Sequence, residues 1–344
     1  MTKRVVLIAL LLSAVAVGAG TLRLTAAWNQ ALALPPEGVL ITVAKGESLS
    51  RVLARAEEKQ WLTRSSWVGV VARWHGLDEQ IQAGEFALNA PLTAGEFIAK
   101  LAVGEVVRRS VTLPEGITLA EAIEILHRES ALTKTPFDEL STTLLAMTGR
   151  EDSAEGLFLP ETWSYTRGDS DLDILQRSHL ALNELLTSLW EQRSEGLVLS
   201  SPYAALTLAS IVEKETGVAG ERMQISGVFL RRLERGMRLQ TDPTVIYGIT
   251  NGQGPLGRGI RASELRAQTP YNTYVIDGLP PTPIANPSAA SIRAALDPET
   301  TPYVFFVADG TGGHAFAETL AEHNANVAAW RALEATRPEA TENN

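Results

Sequence analysis

The chain has no cysteine among its 344 residues and only five histidines. The missing cysteine excludes disulfides, thiolate metal sites, a cysteine nucleophile and a lipid-modified N-terminal cysteine. The histidines are scattered, with no HExxH or comparable spacing, so no metal and no cofactor is expected. Positive charge is scarce as well. Thirty Lys and Arg stand against 40 Asp and Glu, a formal net charge of -10, and no nucleic-acid partner is expected because phosphate binding needs concentrated positive charge. The glycines at 310, 312 and 313 are not followed by G-K-[ST], which excludes a phosphate loop there.

Only one long apolar run occurs, from Val5 to about Leu22, preceded by Lys3 and Arg4. Its roughly 18 residues reach the lower limit for crossing a bilayer. Small residues at Ala14, Ala16 and Ala19 would also suit a cleaved secretory signal. A retained anchor is the favoured expectation, with its basic end in the cytoplasm and the rest of the chain outside it. The remaining residues, within a chain 45% hydrophobic and 20% charged, are ordinary globular material, long enough for two domains.

After the spacer with Pro35, Pro36 and Gly38, alternation around Leu40 and Thr42 predicts a strand, followed by a helix from near Ser48. IQAGEFAL predicts a second strand. Thr93 with Glu96, and Thr118 with Glu121, have the spacing of capping boxes and predict helices over Gly95 to Leu101 and Leu119 to Leu126. Leu172 to Leu189 is a long amphipathic helical pattern. In the run after Glu221, Ile225, Val228, Phe229 and Leu233 lie at helical spacing, with Arg231, Arg232 and Arg235 expected on a solvated face. Asp242-Pro243 predicts a bend, Thr244 to Tyr247 a strand, and Asn251 to Gly259 a mobile loop. YVFFVADG reads as a buried strand ahead of a tight glycine turn at His314. Phe158, Glu161 and Trp163 fit either a cleft wall or plain core.

Ser201 as N-cap and Pro202 in the first turn open a helix that is apolar on nearly every side through Val212. It then reaches Glu213, Lys214 and Glu215, and Gly217 is expected to end it. Glu213 lies on the face of Leu206, Ala209 and Ser210, while Glu215 points the opposite way. A carboxyl among apolar neighbours has a raised pKa, which suits a general acid. Glu213 is therefore the candidate proton donor and Glu215 the fallback. A solvated helix end, with Lys214 favoured by the dipole, is the bland reading.

The segment Val43 to Leu49, with Ala83 to Phe86, resembles the LysM fold of glycan-binding modules. EGLFLPETW at Glu155, ASIVEKETG at Ala209, RLQTDPTVIYG at Arg238, TPYNTY with GLPPTPIANP, and GGHAFAETLAEHN ending at Asn324 resemble the YceG-like, MltG-type endolytic murein transglycosylases. Leu157, Leu159, Glu161 and Ala317 depart from the family's usual residues.

The resemblance implies an α+β chain with these parts: an anchor over 1–25, a spacer over 26–38, a LysM-like subdomain over 39–112, a connecting helical region over 113–154, a mixed α/β catalytic domain over 155–335 and a disordered tail over 336–344. It implies cleavage of the β-1,4 bond between N-acetylmuramic acid and N-acetylglucosamine within glycan strands, leaving 1,6-anhydro ends and terminating strand growth. Glu213 would carry the proton, and Gln240, Thr241, Asp242, Tyr271, Asn272, His314 and Asn324 would bind substrate or support the loops. The implied partners are peptidoglycan strands and, by analogy, peptidoglycan synthases. The implied location is the inner membrane, crossed once, with the catalytic domain in the periplasm. A lysozyme-type hydrolase and a silent glycan-binding scaffold are the rivals.

Overall fold

A computed structural model describes residues 2–336. The expected tail over 336–344 lies, from residue 337 on, outside the described residues. The chain divides into two compact units, the first made of residues 1–109, 131–133 and 164–169, and the second of the remainder. Within the range 113–154, residues 113–130 and 134–154 group with the second unit and 131–133 with the first.

In the first unit, α1 (Thr2–Trp28) is followed by β1 (Val39–Val43), α2 (Leu49–Glu58), α3 (Ser65–Trp74), β2 (Gly84–Leu88) and α4 (Ala94–Val103). β1 and β2 pair antiparallel, with Ile41 opposite Phe86 and Val43 opposite Gly84. Ile41, Val43, Phe86 and Leu88 enter one core with Leu53 of α2, Val68 of α3 and Phe97 and Leu101 of α4. The Thr93–Glu96 capping box closes as its spacing requires, each side chain meeting the other residue's backbone N–H.

The segment expected to be a spacer is largely structural. Ala27 and Leu32 are buried, and Trp28 and Leu34 pack on the same core. The indole of Trp28 lies so close to Gly95 that a Cβ there would meet its Nε1 at 2.4 Å. Apolar side chains at 27, 28, 32 and 34 drive this packing, despite the prolines that follow.

β3 (Arg108–Thr112) and β4 (Thr162–Thr166) form a two-stranded sheet whose residues are divided between the two units, and the elements that follow belong to the second. The helices are α5 (Leu119–Arg128), α6 (Phe137–Thr148), α7 (Asp171–Glu191), α8 (Pro202–Glu215), α9 (Arg222–Glu234), α10 (Asp242–Thr250), α11 (Ala289–Leu296) and α12 (Leu320–Thr336), with the hairpin β5 (Phe305–Ala308) and β6 (His314–Ala317) before the last. α8 is central and packs against α7, α9, α10 and α11. Every residue from Ala205 to Val212 is buried. Its polar breaks are satisfied internally: Thr207 donates to the Tyr203 carbonyl, while Ser210 donates to the Thr207 carbonyl and accepts from the Ile284 N–H. Ser201 caps the helix through the Ala204 N–H, a contact of this kind being worth about 1 kcal/mol.

Several sequence expectations change here. Thr244 to Tyr247 is helix, not strand, because Pro243 in the first turn starts α10 and Val245 and Tyr247 both turn inward. Arg232 is buried, not solvated, and gives its guanidinium to the carbonyls of Val304 and Leu239. α8 ends on extended Thr216, without a left-handed glycine at 217. Phe158 is fully buried core.

Candidate active site

Two carboxyls leave the end of α8 in opposite directions, as the helical period requires. Glu213 meets the start of α11. One of its oxygens accepts both the Ser288 N–H at 2.9 Å and the Ser288 hydroxyl at 2.5 Å. That hydroxyl in turn accepts the Ser291 N–H, so Glu213 orients the N-cap of α11. Lys214 donates to the Gly116 carbonyl at 3.1 Å, and Arg222 stands 3.9 Å from the other Glu213 oxygen. Only 6% of the Glu213 side chain is accessible. Its partners are scaffold groups, already paired.

Glu215 meets a different set. Buried Thr241 donates its hydroxyl to one Glu215 oxygen. Thr241 is itself held from three directions: its N–H donates to the Thr273 hydroxyl at 3.0 Å, its carbonyl accepts Thr244 at 2.8 Å, and Gln240 beside it donates to the Thr273 carbonyl at 3.1 Å. Gln240 takes a left-handed backbone, φ 52°, costly for a residue with a Cβ and typical of places where the surroundings impose a geometry. Asp242 begins α10 and accepts the Tyr274 hydroxyl at 2.7 Å.

Burial pushes the Glu215 pKa upward. The Thr241 hydrogen bond opposes this, the Asp242 charge adds to it, and His314 and Arg232 draw it partly back. The carboxyl keeps a narrow solvent-facing edge, yet protein packed closely around it leaves its charge poorly hydrated. His314 is fixed by Glu221, which accepts its ring nitrogen at 2.7 Å and its backbone N–H at 2.9 Å. The glycine turn between β5 and β6 is what brings His314 back to this position.

Of the sequence-predicted residues, Thr241, Asp242 and His314 therefore gather around Glu215, with exposed Gln240 adjoining. Asn272 is buried. Its amide donates to the carbonyls of Glu264, Leu265 and Ala267, and its oxygen accepts the Tyr274 N–H, so it supports the loop. Tyr271 stands against Tyr247, ring centroids 4.9 Å apart, and bonds Thr282 at 2.8 Å. Asn324 is exposed on α12. Glu221 and Tyr274 were not named as site residues from the sequence, and Arg232 was expected on a solvated face. Tyr274 stood in the quoted TPYNTY motif, and Glu221 opens the run read as a helix.

Glu155 was also missed, although it begins the EGLFLPETW motif. It lines a cavity of about 780 Å³ with Leu119, Ile123, Leu144, Tyr247 and Tyr271. Its oxygens accept the N–H groups of Leu119 at 2.8 Å and Gly156 at 3.2 Å, and the Tyr247 hydroxyl at 3.3 Å. Burial pushes its pKa up to about 7, the two N–H groups and Tyr247 opposing. This carboxyl ties the start of α5 to α10. Among the described residues, no three His, Asp or Glu side chains converge as metal ligands.

The arrangement at Glu215 offers one protonatable carboxyl in a fixed rotamer, with a carboxylate, an imidazole and a guanidinium to tune it. That combination can donate a proton to a leaving oxygen and take one back. Residues 41–329 match the model of the YceG-like family. An endolytic murein transglycosylase of Bacillus subtilis is 28% identical over 305 residues, covering 83% of each chain. One from Streptococcus pneumoniae is also 28% identical, over 72% of this chain, which spans about half of that protein's length. Among solved structures, a YceG-like protein of Listeria monocytogenes superposes with a TM-score of 0.52 at 27% identity, covering 85% of this chain and 99% of that one.

Proposed function

This chain belongs to the YceG-like family, and from that membership we infer that it is an endolytic murein transglycosylase, a lyase acting on peptidoglycan strands. Its chemistry is cleavage of the β-1,4 bond between N-acetylmuramic acid and N-acetylglucosamine without consuming water. Ordinary glycosidases use two carboxyls, one of them to activate water or attack the sugar. Here the muramic C6 hydroxyl attacks, and its tethering to the reacting carbon replaces a second enzyme nucleophile.

We propose Glu215, rather than Glu213, as the acid and base. Protonated Glu215 gives its proton to the glycosidic oxygen as the C1–O bond breaks. The C6 oxygen then bonds C1, closing the 1,6-anhydro ring, and its proton passes to the Glu215 carboxylate. The enzyme ends as it began. Burial and Asp242 keep enough Glu215 protonated for the first half, while His314 and Arg232 stabilise the carboxylate of the second half. The Thr241 bond holds the carboxyl in one orientation through both. The observation that carries this reading is the grouping of Thr241, Asp242 and His314 around Glu215, against the engagement of Glu213 in capping α11. Gln240 and Asp242 are the substrate contacts this geometry favours, with Tyr271 and Asn272 as supports.

The apolar stretch Val6–Trp28 serves as a retained single-pass anchor, having a mean hydropathy of 2.0 and no burial within the fold across its most apolar window. The basic residues before it, Lys3 and Arg4, support a periplasmic location for the remainder. There it would cut nascent strands and so end their elongation, in the company of the synthases that make them. The first unit, with β1, the turn at Lys45–Gly46 and α2, serves as a LysM-like glycan contact.

Product mass tests the reaction. Incubated with uncrosslinked strands, the purified protein should release fragments ending in 1,6-anhydro-muramic acid. Asp242 beside Glu215 is the second carboxylate a hydrolase would need, so fragments heavier by one water would replace this reading with hydrolysis.

A further inference from the structure

Helix α3 is apolar on two faces. Val68, Val71 and Ala72 point into the core of the first unit, while Trp67, Val70 and Trp74 form an outward stripe at i, i+3 and i+7. Their exposure is 37%, 49% and 79%. A helix face that leaves two indoles in water is unfavourable unless something covers it.

The position of α3 indicates what does. α3 packs directly on α1, and both of its ends are fastened beside the last turn of α1. The His75 ring lies 5.4 Å from the Trp28 ring. At the other end, the Gln30 amide donates to the Thr63 carbonyl at 2.7 Å and accepts the Thr63 N–H at 3.0 Å. Along α1, the described side chains up to Val17 are open, whereas Ala27 is buried and Trp28 packs on the core. A hydrocarbon layer of about 30 Å takes about 20 helical residues. Counted from Arg4, it ends near Leu24, so the outer headgroup layer begins at the level where α3 is held. Arg23, Arg64 and Arg73 are all exposed around this level. Tryptophan with basic side chains is the composition that the headgroup region selects.

We propose that the Trp67–Val70–Trp74 face of α3 is a second membrane contact, seated in the outer headgroup layer of the bilayer that α1 spans. The inference rests on the reading of α1 as a retained anchor. It gives the first unit a fixed orientation on the membrane, through a surface that carries no catalytic residue.

The absence of native cysteine makes single-site labelling clean. In the full chain reconstituted in nanodiscs of phosphatidylcholine with phosphatidylglycerol, an environment-sensitive dye would be attached singly at Trp74→Cys, Val70→Cys, Leu10→Cys and, as an aqueous reference, Lys45→Cys. Positions 74 and 70 should give blue-shifted emission, quenching by headgroup-level nitroxide lipids, and several-fold weaker quenching by iodide than position 45. Position 10 should be deep. If 74 and 70 are as open to iodide as 45 while 10 is deep, the proposed contact is wrong and the anchor stands. If 10 is itself in water, the anchor reading falls and takes the inference with it. Should one of the two α3 variants fail to fold, the other decides.

Discussion

Glutamine in place of Glu215 or Glu213 is nearly the same size, so the two exchanges separate chemistry from support. At 215 the glutamine can still accept the Thr241 hydroxyl, but it has no proton to give a leaving oxygen. Loss of a general acid of this kind lowers the rate by about two to four orders of magnitude, or about 3–5 kcal/mol of barrier. Folding should be unharmed or improved, since the exchange removes a poorly hydrated carboxyl. At 213 the effects reverse. Ser288 gives that side chain two hydrogen bonds, and bonds to a charged acceptor exceed those to a neutral one. Glu213→Gln should therefore cost about 1–2 kcal/mol of stability, seen as a melting point lower by a few degrees, with turnover within a few-fold of wild type. The assay is release of anhydro-ended fragments from glycan strands, quantified by mass spectrometry well below both melting points, beside thermal unfolding of each variant. A Glu215→Gln protein cutting within tenfold of wild type, next to an inactive but folded Glu213→Gln, would refute the assignment.

Two further exchanges test the electrostatics. Asp242→Asn removes a negative neighbour from Glu215, which eases ionisation of Glu215 and lowers its pKa; the alkaline limb of the pH–rate profile should move to lower pH, and an unmoved or raised limb would contradict the coupling. Glu155 is the second case, its folded pKa of about 7 lying above the ordinary carboxyl value of 4.5. The folded state then holds the extra proton, so the burden is absent below about pH 4.5, grows as pH rises through 7, and reaches about 3 kcal/mol above that. Glu155→Gln should match wild type in stability at pH 4 and exceed it at pH 8. Denaturant unfolding at the two pH values measures this, and equal stability at pH 8 would be the wrong result.

Local chemistry was the legible part of this sequence. Thr93 with Glu96, Thr118 with Glu121 and Ser201 with Pro202 declare helix starts because the bonding partners lie within one turn, and all three starts occur. Helical spacing likewise put Glu213 and Glu215 on opposite faces. It could not say which face met a scaffold, because Ser288 is 75 residues away in the chain. Arg232 was misread for the same reason: a run of arginines suggests solvent, and the carbonyl of Val304 that receives its guanidinium lies 72 residues on. At Thr244 to Tyr247, β-branched composition suggested a strand, but Pro243 and the inward packing of α10 outweighed so weak a propensity. Glu155 stood in a quoted motif, yet its burial depends on Tyr247 and Leu119, which only the folded chain assembles.

The join between α1 and the first unit has a mechanical consequence. A flexible leash would let the unit roam over a radius growing with the square root of its length. With Ala27 and Trp28 built into the core there is no slack, and a chain spanning a bilayer in this way can only drift in the plane and spin about the normal. The first unit's encounters would then be a two-dimensional search along the membrane.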